Sequence, residues 1–365
     1  MPLQERRVSD MSVNVDAIVK RKLRRRSSLT DTNLLLIITI AVFIVMYVCA
    51  VVFLQKGFTK PQMFFNILNE NASLLVLSCG MTLVMITGGI DISVGQVTCL
   101  VCMACAVHLQ KVNEGLASGN VLTSILIALG IGLAFGIVQG FLVAYMEFQP
   151  FIVTLAGLFF AKGMTTIVCS DRVPVTYDPF VKLCRTEITI PFMGSVNKKG
   201  IYIPAYVEIG VIVALVVVIL LFCLLRWTKL GRNFYAVGGN NQSANMLGIN
   251  VKLTKFLAHV LCGLCAGIGG YLFFLHACSG SPLHAQGAEM NAIASSIIGG
   301  TLLSGGVGNI VGTLFGVLSL STIKNIVTSL GLEDAWWTNI TVGVMLCIFL
   351  LVQSVILARK NKNKK

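Results

Sequence analysis

Charge is scarce in this chain. Only 12% of its 365 residues are Asp, Glu, Lys or Arg, whereas 56% are hydrophobic and the mean hydropathy is +0.85. In soluble domains, about a quarter of all residues are charged. The scarcity therefore excludes a soluble globular protein and indicates an integral membrane protein.

Acidic residues are rarer than basic ones, and the formal net charge is +13. The basic residues are concentrated outside the apolar runs: of 28 Lys and Arg, eight lie in residues 1–33, five in 226–255 and five in 359–365. This distribution orients a membrane protein and favours contact with anionic membrane lipids. A nucleic-acid partner is not expected.

Catalytic and metal-binding motifs are also lacking. The sequence contains no GxxxxGK[ST] phosphate loop, HExxH, GxSxG or strand-flanked GxGxxG. Its 12 cysteines lie mostly inside apolar runs and lack the CxxC…CxxC spacing of a zinc site. Cys99, Cys102 and Cys105 form a stripe without a His or carboxylate at ligand spacing, which favours core packing over metal binding. We therefore expect no enzyme, no metal site and no cofactor held by this chain.

Apolar runs dominate what is present, and about ten of them are predicted to be transmembrane helices of an all-α protein. The eighth run is too short to span a bilayer alone. An even number of spans and the positive-inside rule place both termini in the cytoplasm. The predicted spans are residues 34–54, 64–87, 97–109, 121–146, 151–169, 205–225, 256–277, 290–300, 310–330 and 340–357.

Three regions follow from this pattern: a basic cytoplasmic arm (1–33), a transmembrane domain (34–358) and a basic cytoplasmic tail (359–365). By alternation, residues 170–204 form an extracytoplasmic loop, and 278–289 form a second external stretch. Cys169 and Cys184 flank the first loop and can pair in an oxidising compartment.

Residues 226–255 form a polar loop with five basic and no acidic residues, which places them in the cytoplasm. Gly238 and Gly239 are predicted to break the chain. Residues 240–248 are predicted to form a helix of about two turns, capped by asparagine and closed by Gly248. The loop is either an ordinary connection or a short surface helix that contacts a soluble partner.

A few polar residues interrupt the spans. Glu70 and Asn71 lie in the outer part of the second span, and Asp91 lies at a glycine break, residues 88–96. Asp91 suits either a helix cap or a transport pathway, and the residues around Glu70 suit either a pathway or an interhelical hydrogen-bond cluster. Lys162 and Lys324 are interpreted as snorkelling side chains.

A segment similar to the glycine break occurs in the second half of the chain, where it forms a second glycine break. Residues 86–95 match residues 297–306 at five of ten positions. Paired glycine-interrupted segments are typical of transporters with internal repeats around a central pathway. Chance similarity is the alternative, because three of the five matches are glycines.

Four motifs resemble the membrane permeases of bacterial ABC importers for monosaccharides, the ribose and xylose permease family. The resemblance extends over residues 34–358, and the basic arm departs from it. Further stretches at 66–71, 154–160, 289–294 and 336–338 are similar to one of two permease chains of a galactofuranose importer. The four motifs are residues 88–95, 151–157, 235–249 and 298–308.

This resemblance implies a type II-like permease in the bacterial cytoplasmic membrane. Residues 226–255 would be the coupling loop that docks on a separate ATPase, which binds ATP and Mg. The external segments would face a solute-binding protein, and a second permease subunit, identical or different, would complete the pathway. The implied coupling residues are Gly238, Gly239, Asn240, Ser243, Ala244 and Gly248.

The pathway would carry a neutral monosaccharide and is predicted to include Asn71, Glu70, Asp91, Ser93, Gln96 and Ser304. Relatives differ in their sugar, so the resemblance does not identify it. The alternative function is an ion-coupled secondary sugar carrier, in which Asp91 or Glu70 would be essential.

Overall fold

The computed structural model describes residues 35–54, 57–196, 202–332 and 335–362, so the predicted basic arm lies outside the described residues. The described residues form thirteen helices and four short strands. The helices are α1 (Leu35–Leu54), α2 (Pro61–Ile86), α3 (Val94–Asn113), α4 (Val121–Ala144), α5 (Pro150–Val168), α6 (Asp178–Cys184), α7 (Ile209–Trp227), α8 (Lys229–Gly239), α9 (Asn241–Met246), α10 (Val251–Ala277), α11 (Ala288–Ile298), α12 (Ile310–Ser329) and α13 (Ala335–Lys362). The strands are β1 (Val173–Pro174), β2 (Glu187–Val196), β3 (Tyr202–Glu208) and β4 (Ser279–Gly280).

Eight helices in the described residues are long and apolar enough to cross a membrane: α1, α2, α3, α4, α5, α7, α10 and α12. The other two predicted spans correspond to α11 and α13. Helix α11 has 11 residues, which confirms that the eighth run is too short to span alone. Helix α13 has 28 residues and contains the predicted tenth span, residues 340–357.

Helices α2, α3, α10 and α12 form the centre of the molecule. The buried share of the most apolar window is 78% in α2, 72% in α3, 67% in α12 and 61% in α10, against 17% in α1 and 22% in α4. Gly132 and Gly136 of α4 contact Gly263 of α10, and a Cβ atom at any of them would overlap with the facing backbone. The glycines therefore allow the close helix approach that small residues give in membranes.

The extracytoplasmic loop predicted at 170–204 contains ordered structure. Strands β2 and β3 pair antiparallel, with Glu187 opposite Glu208, and β1 pairs with β4. The predicted start of the sixth span at residue 205 is wrong, because β3 continues to Glu208 and α7 begins at Ile209. Residues 205–208 are apolar enough to extend a hydropathy run, but their backbone is paired with β2.

The predicted external stretch 278–289 packs against α3, and its side of the membrane stays a prediction. Ser279 and Gly280 are buried, and the Cys102 thiol of α3 donates to the Ser279 carbonyl at 3.2 Å. The Cys99 thiol donates to the Ser281 carbonyl at 3.4 Å. The segment thus follows α3 toward its N-terminus and continues as α11.

Cys169 and Cys184, which the sequence leaves able to pair, are free thiols in the structure. The Cys184 side chain instead contacts Cys278, the residue that ends α10. Helix α6 is held in this position because Phe180 stacks on Phe274 of α10, with 4.3 Å between ring centroids. Helix α6 therefore packs on the C-terminal end of α10.

Candidate functional site

The polar loop 226–255 folds into α8 and α9. Gly238 and Gly239 are both helical, so the predicted break lies one residue later, at Asn240. The Asn240 side-chain oxygen accepts a hydrogen bond from the Ser243 backbone N–H at 2.8 Å, and Gly248 has φ +79°. The predicted short helix with an asparagine cap and a glycine end is confirmed.

The six predicted coupling residues face different directions. Gly239, Asn240, Ser243 and Gly248 are exposed, whereas Gly238 and Ala244 face the body of the protein.

The most exposed apolar side chains of this loop are Met246 and Leu247, which are 87% and 79% exposed. They are not among the coupling residues predicted from the sequence. The available signal was an apolar pair at the end of a helix whose other residues are largely polar.

Gly238 belongs to a backbone contact among three segments, which we call the glycine junction (Ile86, Gly88, Gly238, Gly305 and Gly306). The Gly306 N–H donates to the Ile86 carbonyl at 2.8 Å. A Cβ atom on Gly238 would overlap with the Ile86 oxygen and approach the Gly306 nitrogen to 2.6 Å. Gly305 packs in the same way on Gly238 and Gly88. The junction joins the end of α8 to both glycine breaks.

The two breaks have the same helix-ending geometry. Gly88 after α2 has φ +84°, and Gly300 after α11 has φ +88°. In both, the following N–H bonds to the carbonyl five residues earlier, a common way to end a helix. The sequence match aligns Gly88 with Gly299, whereas the structure places Gly88 and Gly300 in equivalent positions, one residue further along.

Asp91 and Ser93 form a buried turn between α2 and α3. The Ser93 N–H and hydroxyl both donate to one carboxylate oxygen of Asp91, at 3.0 and 2.7 Å. The Gln139 amide of α4 donates to the Ser93 hydroxyl at 2.9 Å, and Gly157 of α5 leaves room for that amide. The geometry supports a structural role for Asp91 at the start of α3.

A cavity of about 360 Å³ lies between α2, α10, α12 and the segment that enters α11. Glu70 and Asn71 line it, and Asn71 also donates to the Ser321 hydroxyl of α12 at 2.7 Å. Its other polar lining residues are Ser73, Thr98, His284, Gln286, Asn291 and Lys324.

The predicted pathway residues are thus divided. Glu70 and Asn71 reach the cavity, whereas Asp91 and Ser93 lie in the buried turn. Gln96 is buried in the first turn of α3, and Ser304 is exposed in the loop before α12. Their assignment to a pathway stays a prediction.

Sequence reasoning missed His284, Asn291 and Lys324 as cavity residues. A charge within a span was the available signal for Lys324, and it was interpreted as snorkelling. Burial lowers the pKa of His284, and the nearby Arg172 charge lowers it further. The imidazole is therefore neutral at pH 7, with one nitrogen that donates and one that accepts.

A groove of about 820 Å³ lies beside α9, between the α4–α5 turn and the start of α10. At its edge Lys252 and Glu147 form an ion pair at 2.9 Å. The Lys252 hydrogen bond and charge lower the pKa of Glu147. The groove thus offers side chains of both charge signs beside the exposed face of α9.

The model of a protein family described as the branched-chain amino acid transport system, permease component, matches residues 63–350. The chain belongs to this permease family. Members are transport components rather than enzymes, and the ATPase of such an ABC transporter is a separate subunit. This agrees with the absence of a phosphate loop from the sequence of the permease.

Curated relatives cover most of the permease. It is 37% identical to the inner membrane ABC transporter permease protein YjfF of Escherichia coli K12 over 322 residues, 88% of this chain and 92% of the relative. It is 33% identical to the ribose import permease protein RbsC of the same strain, over 82% of this chain and 88% of the relative. The fructose import permease protein FruG of Bifidobacterium longum is 32% identical, over 79% and 82%. No solved structure matches the permease.

Proposed function

We propose that this permease moves a monosaccharide across the bacterial cytoplasmic membrane, with galactofuranose as the candidate sugar. The description of the family names branched-chain amino acids, whereas relatives of this permease are named for sugars. Membership of the family therefore does not identify the solute. Similarity to permeases named for ribose and fructose supports a sugar. The motifs at 66–71 and 289–294 support galactofuranose in particular.

The cavity supports a sugar on chemical grounds. Sugar hydroxyls both donate and accept hydrogen bonds, and the amides of Asn71, Gln286 and Asn291 offer both functions, as does neutral His284. A volume of about 360 Å³ is in the range of small-ligand pockets. One carboxylate and one ammonium line the cavity, so their charges balance and a neutral solute is favoured.

The observation that carries the proposed mechanism is the glycine junction. Helix α9 presents Met246 and Leu247 to a partner, and α8 carries any displacement to Gly238. There the backbone touches Ile86 and Gly306, which belong to the two glycine breaks. Close-packed backbones are not continuously deformable, so a movement of α8 must shift both breaks together.

The positive charge of residues 226–255 supports a cytoplasmic position for α8 and α9, and hence for both termini. The ATPase subunit, which binds ATP and Mg, would then dock on α9. A solute-binding protein would approach the opposite end, where α6 and the β2–β3 hairpin lie. A second permease subunit, identical or different, would complete the transport pathway.

Binding of the ATPase tests the docking surface. The double variant Met246→Glu, Leu247→Glu puts charge on two exposed positions and should insert normally but no longer co-purify with the ATPase subunit. Leu116→Glu is the matched control, because Leu116 is 75% exposed in the turn between α3 and α4, at the other end of the molecule. Equal ATPase recovery with the double variant and the control would contradict docking at α9.

The solute is tested by uptake into vesicles that contain the complete importer. Galactofuranose, ribose, fructose and leucine are compared as labelled solutes, with and without ATP. We expect ATP-dependent uptake of a sugar that survives an uncoupler. Uptake of leucine alone would overturn the sugar assignment, and uptake abolished by the uncoupler while ATP persists would favour the ion-coupled carrier.

A further inference from the structure

A second cavity, of about 540 Å³, lies where α7 meets α8, beside the N-terminus of α12. Two of its lining residues are arginines, Arg226 at the end of α7 and Arg232 in α8. Both are exposed, and neither forms an ion pair within the described part of the chain. The cavity therefore concentrates uncompensated positive charge.

A helix end adds to this field. Helix α12 begins at Ile310, and Asn309, Ile310 and Val311 all line the cavity. The N-terminus of a helix carries a partial positive charge and favours anions. Two arginines and a helix N-terminus on one cavity are suited to a phosphate group, because guanidinium groups bind its oxygens in pairs.

The remaining lining residues indicate a membrane lipid as the source of that phosphate. Leu36 of α1 and Phe222 of α7 form an apolar wall of the cavity. Both helices are apolar and largely exposed, so their outer surfaces face lipid. Trp227, directly after Arg226, is 70% exposed. Tryptophan is enriched at the level of lipid headgroups, so the arginines lie at that level too.

We propose that Arg226 and Arg232 bind the phosphate of an anionic phospholipid in this cavity, with an acyl chain along Leu36 and Phe222. Basic pockets between transmembrane helices are known hosts of anionic headgroups. A bound lipid would bridge α7, α8 and the start of α12. The Tyr235 hydroxyl of α8 already donates to the Gly308 carbonyl at 2.8 Å across the same gap. The lipid would thus brace the segments that meet at the glycine junction, whichever solute is transported.

The test measures lipid binding by the purified full-length chain in detergent, with native mass spectrometry. Phosphatidylglycerol is titrated against the wild type, the double variant Arg226→Gln, Arg232→Gln and both single variants. A matched control, Lys229→Gln, Lys182→Gln, removes the same charge from exposed positions that do not line the cavity. Size-exclusion chromatography verifies that each variant is folded.

We expect one phosphatidylglycerol to bind the wild type and the control about tenfold more tightly than the double variant, with each single variant weakened as well. Phosphatidylcholine with the same acyl chains should bind no better to the wild type than to the double variant. Equal phosphatidylglycerol affinity of the wild type and the double variant would overturn the site. Binding of inorganic phosphate alone, with displacement of the lipid, would identify a soluble phosphate ligand and overturn the lipid assignment.

Discussion

Two carboxylates within the membrane region have different surroundings. Glu70 faces a cavity and has no ion-pair partner among the described residues, whereas Asp91 accepts two hydrogen bonds inside its own turn. An ionisable side chain that is left facing a membrane cavity is a candidate for solute contact. A carboxylate satisfied by its neighbours is a candidate for a structural role.

Glu70→Gln should reduce solute uptake. The variant keeps the size of the side chain and removes its charge. A hydrogen bond to a charged group contributes about 1.5–3 kcal/mol, so the uptake efficiency should fall about ten- to a hundredfold at unchanged protein level. Glu114→Gln, on the exposed turn after α3, is the control. Wild-type uptake by Glu70→Gln would remove Glu70 from the pathway.

Asp91→Asn and Asp91→Ala should differ in the level of folded protein and in solute uptake. Asparagine retains an oxygen that can accept from Ser93, so uptake should persist. Alanine leaves buried donors unpaired and should cost about 1–3 kcal/mol of stability, measured as a lower level of folded protein in the membrane. Loss of uptake by well-folded Asp91→Asn would instead assign Asp91 to transport and revive the ion-coupled alternative.

Residue types alone predicted part of the cavity. Glu70 and Asn71 were found because polar side chains are conspicuous in an apolar run. Lys324 and His284 were not assigned to it, because their position depends on how α12 and the segment before α11 face α2. That arrangement is set by contacts between residues more than 200 positions apart, such as Asn71 with Ser321.

Capping residues and glycines in the sequence correctly predicted the elements whose ends depend on neighbouring residues. Helix α9 has its cap at Asn240 and its glycine end at Gly248, as the sequence indicates. The packing of residues 278–289 on α3 was not predicted, because the hydrogen-bond donors are thiols of α3, which hydropathy counts as apolar. Strand β3 was mispredicted because its partner β2 lies in a polar loop, and pairing outweighs local composition.

Removal of the α9 cap should weaken ATPase docking. Asn240→Ala loses the hydrogen bond to the Ser243 N–H, at a cost of about 1 kcal/mol to a helix of six residues. Affinity for the ATPase subunit, measured by titration in detergent, should fall about fivefold. Asn240→Ser retains a capping oxygen and should bind like the wild type. Equal affinities of the alanine and serine variants would show that the cap does not contribute to docking.

At the scale of the whole molecule, the distribution of positive charge predicts orientation. Green fluorescent protein fused after residue 365 should fluoresce, because it would fold in the cytoplasm. Alkaline phosphatase inserted after residue 116 should be active, because that enzyme needs an oxidising exterior. An active phosphatase fused after residue 365 would invert the topology and place α9 on the outside.

The central claim is that α8 transmits ATPase movement through the glycine junction, and two adjacent glycines test it. A Cβ atom on Gly238 would overlap with the Ile86 backbone, whereas one on Gly239 would meet nothing within 4 Å. Gly238→Ala must therefore displace α8 from both breaks, and Gly239→Ala must not.

The decisive measurement is solute uptake per ATP hydrolysed, in vesicles that contain the full importer with either variant. We expect Gly238→Ala to assemble with the ATPase and hydrolyse ATP but to lose about tenfold in uptake per ATP, and Gly239→Ala to match the wild type. Equal uptake per ATP in the two variants, with equal amounts of assembled complex, would contradict transmission through the junction.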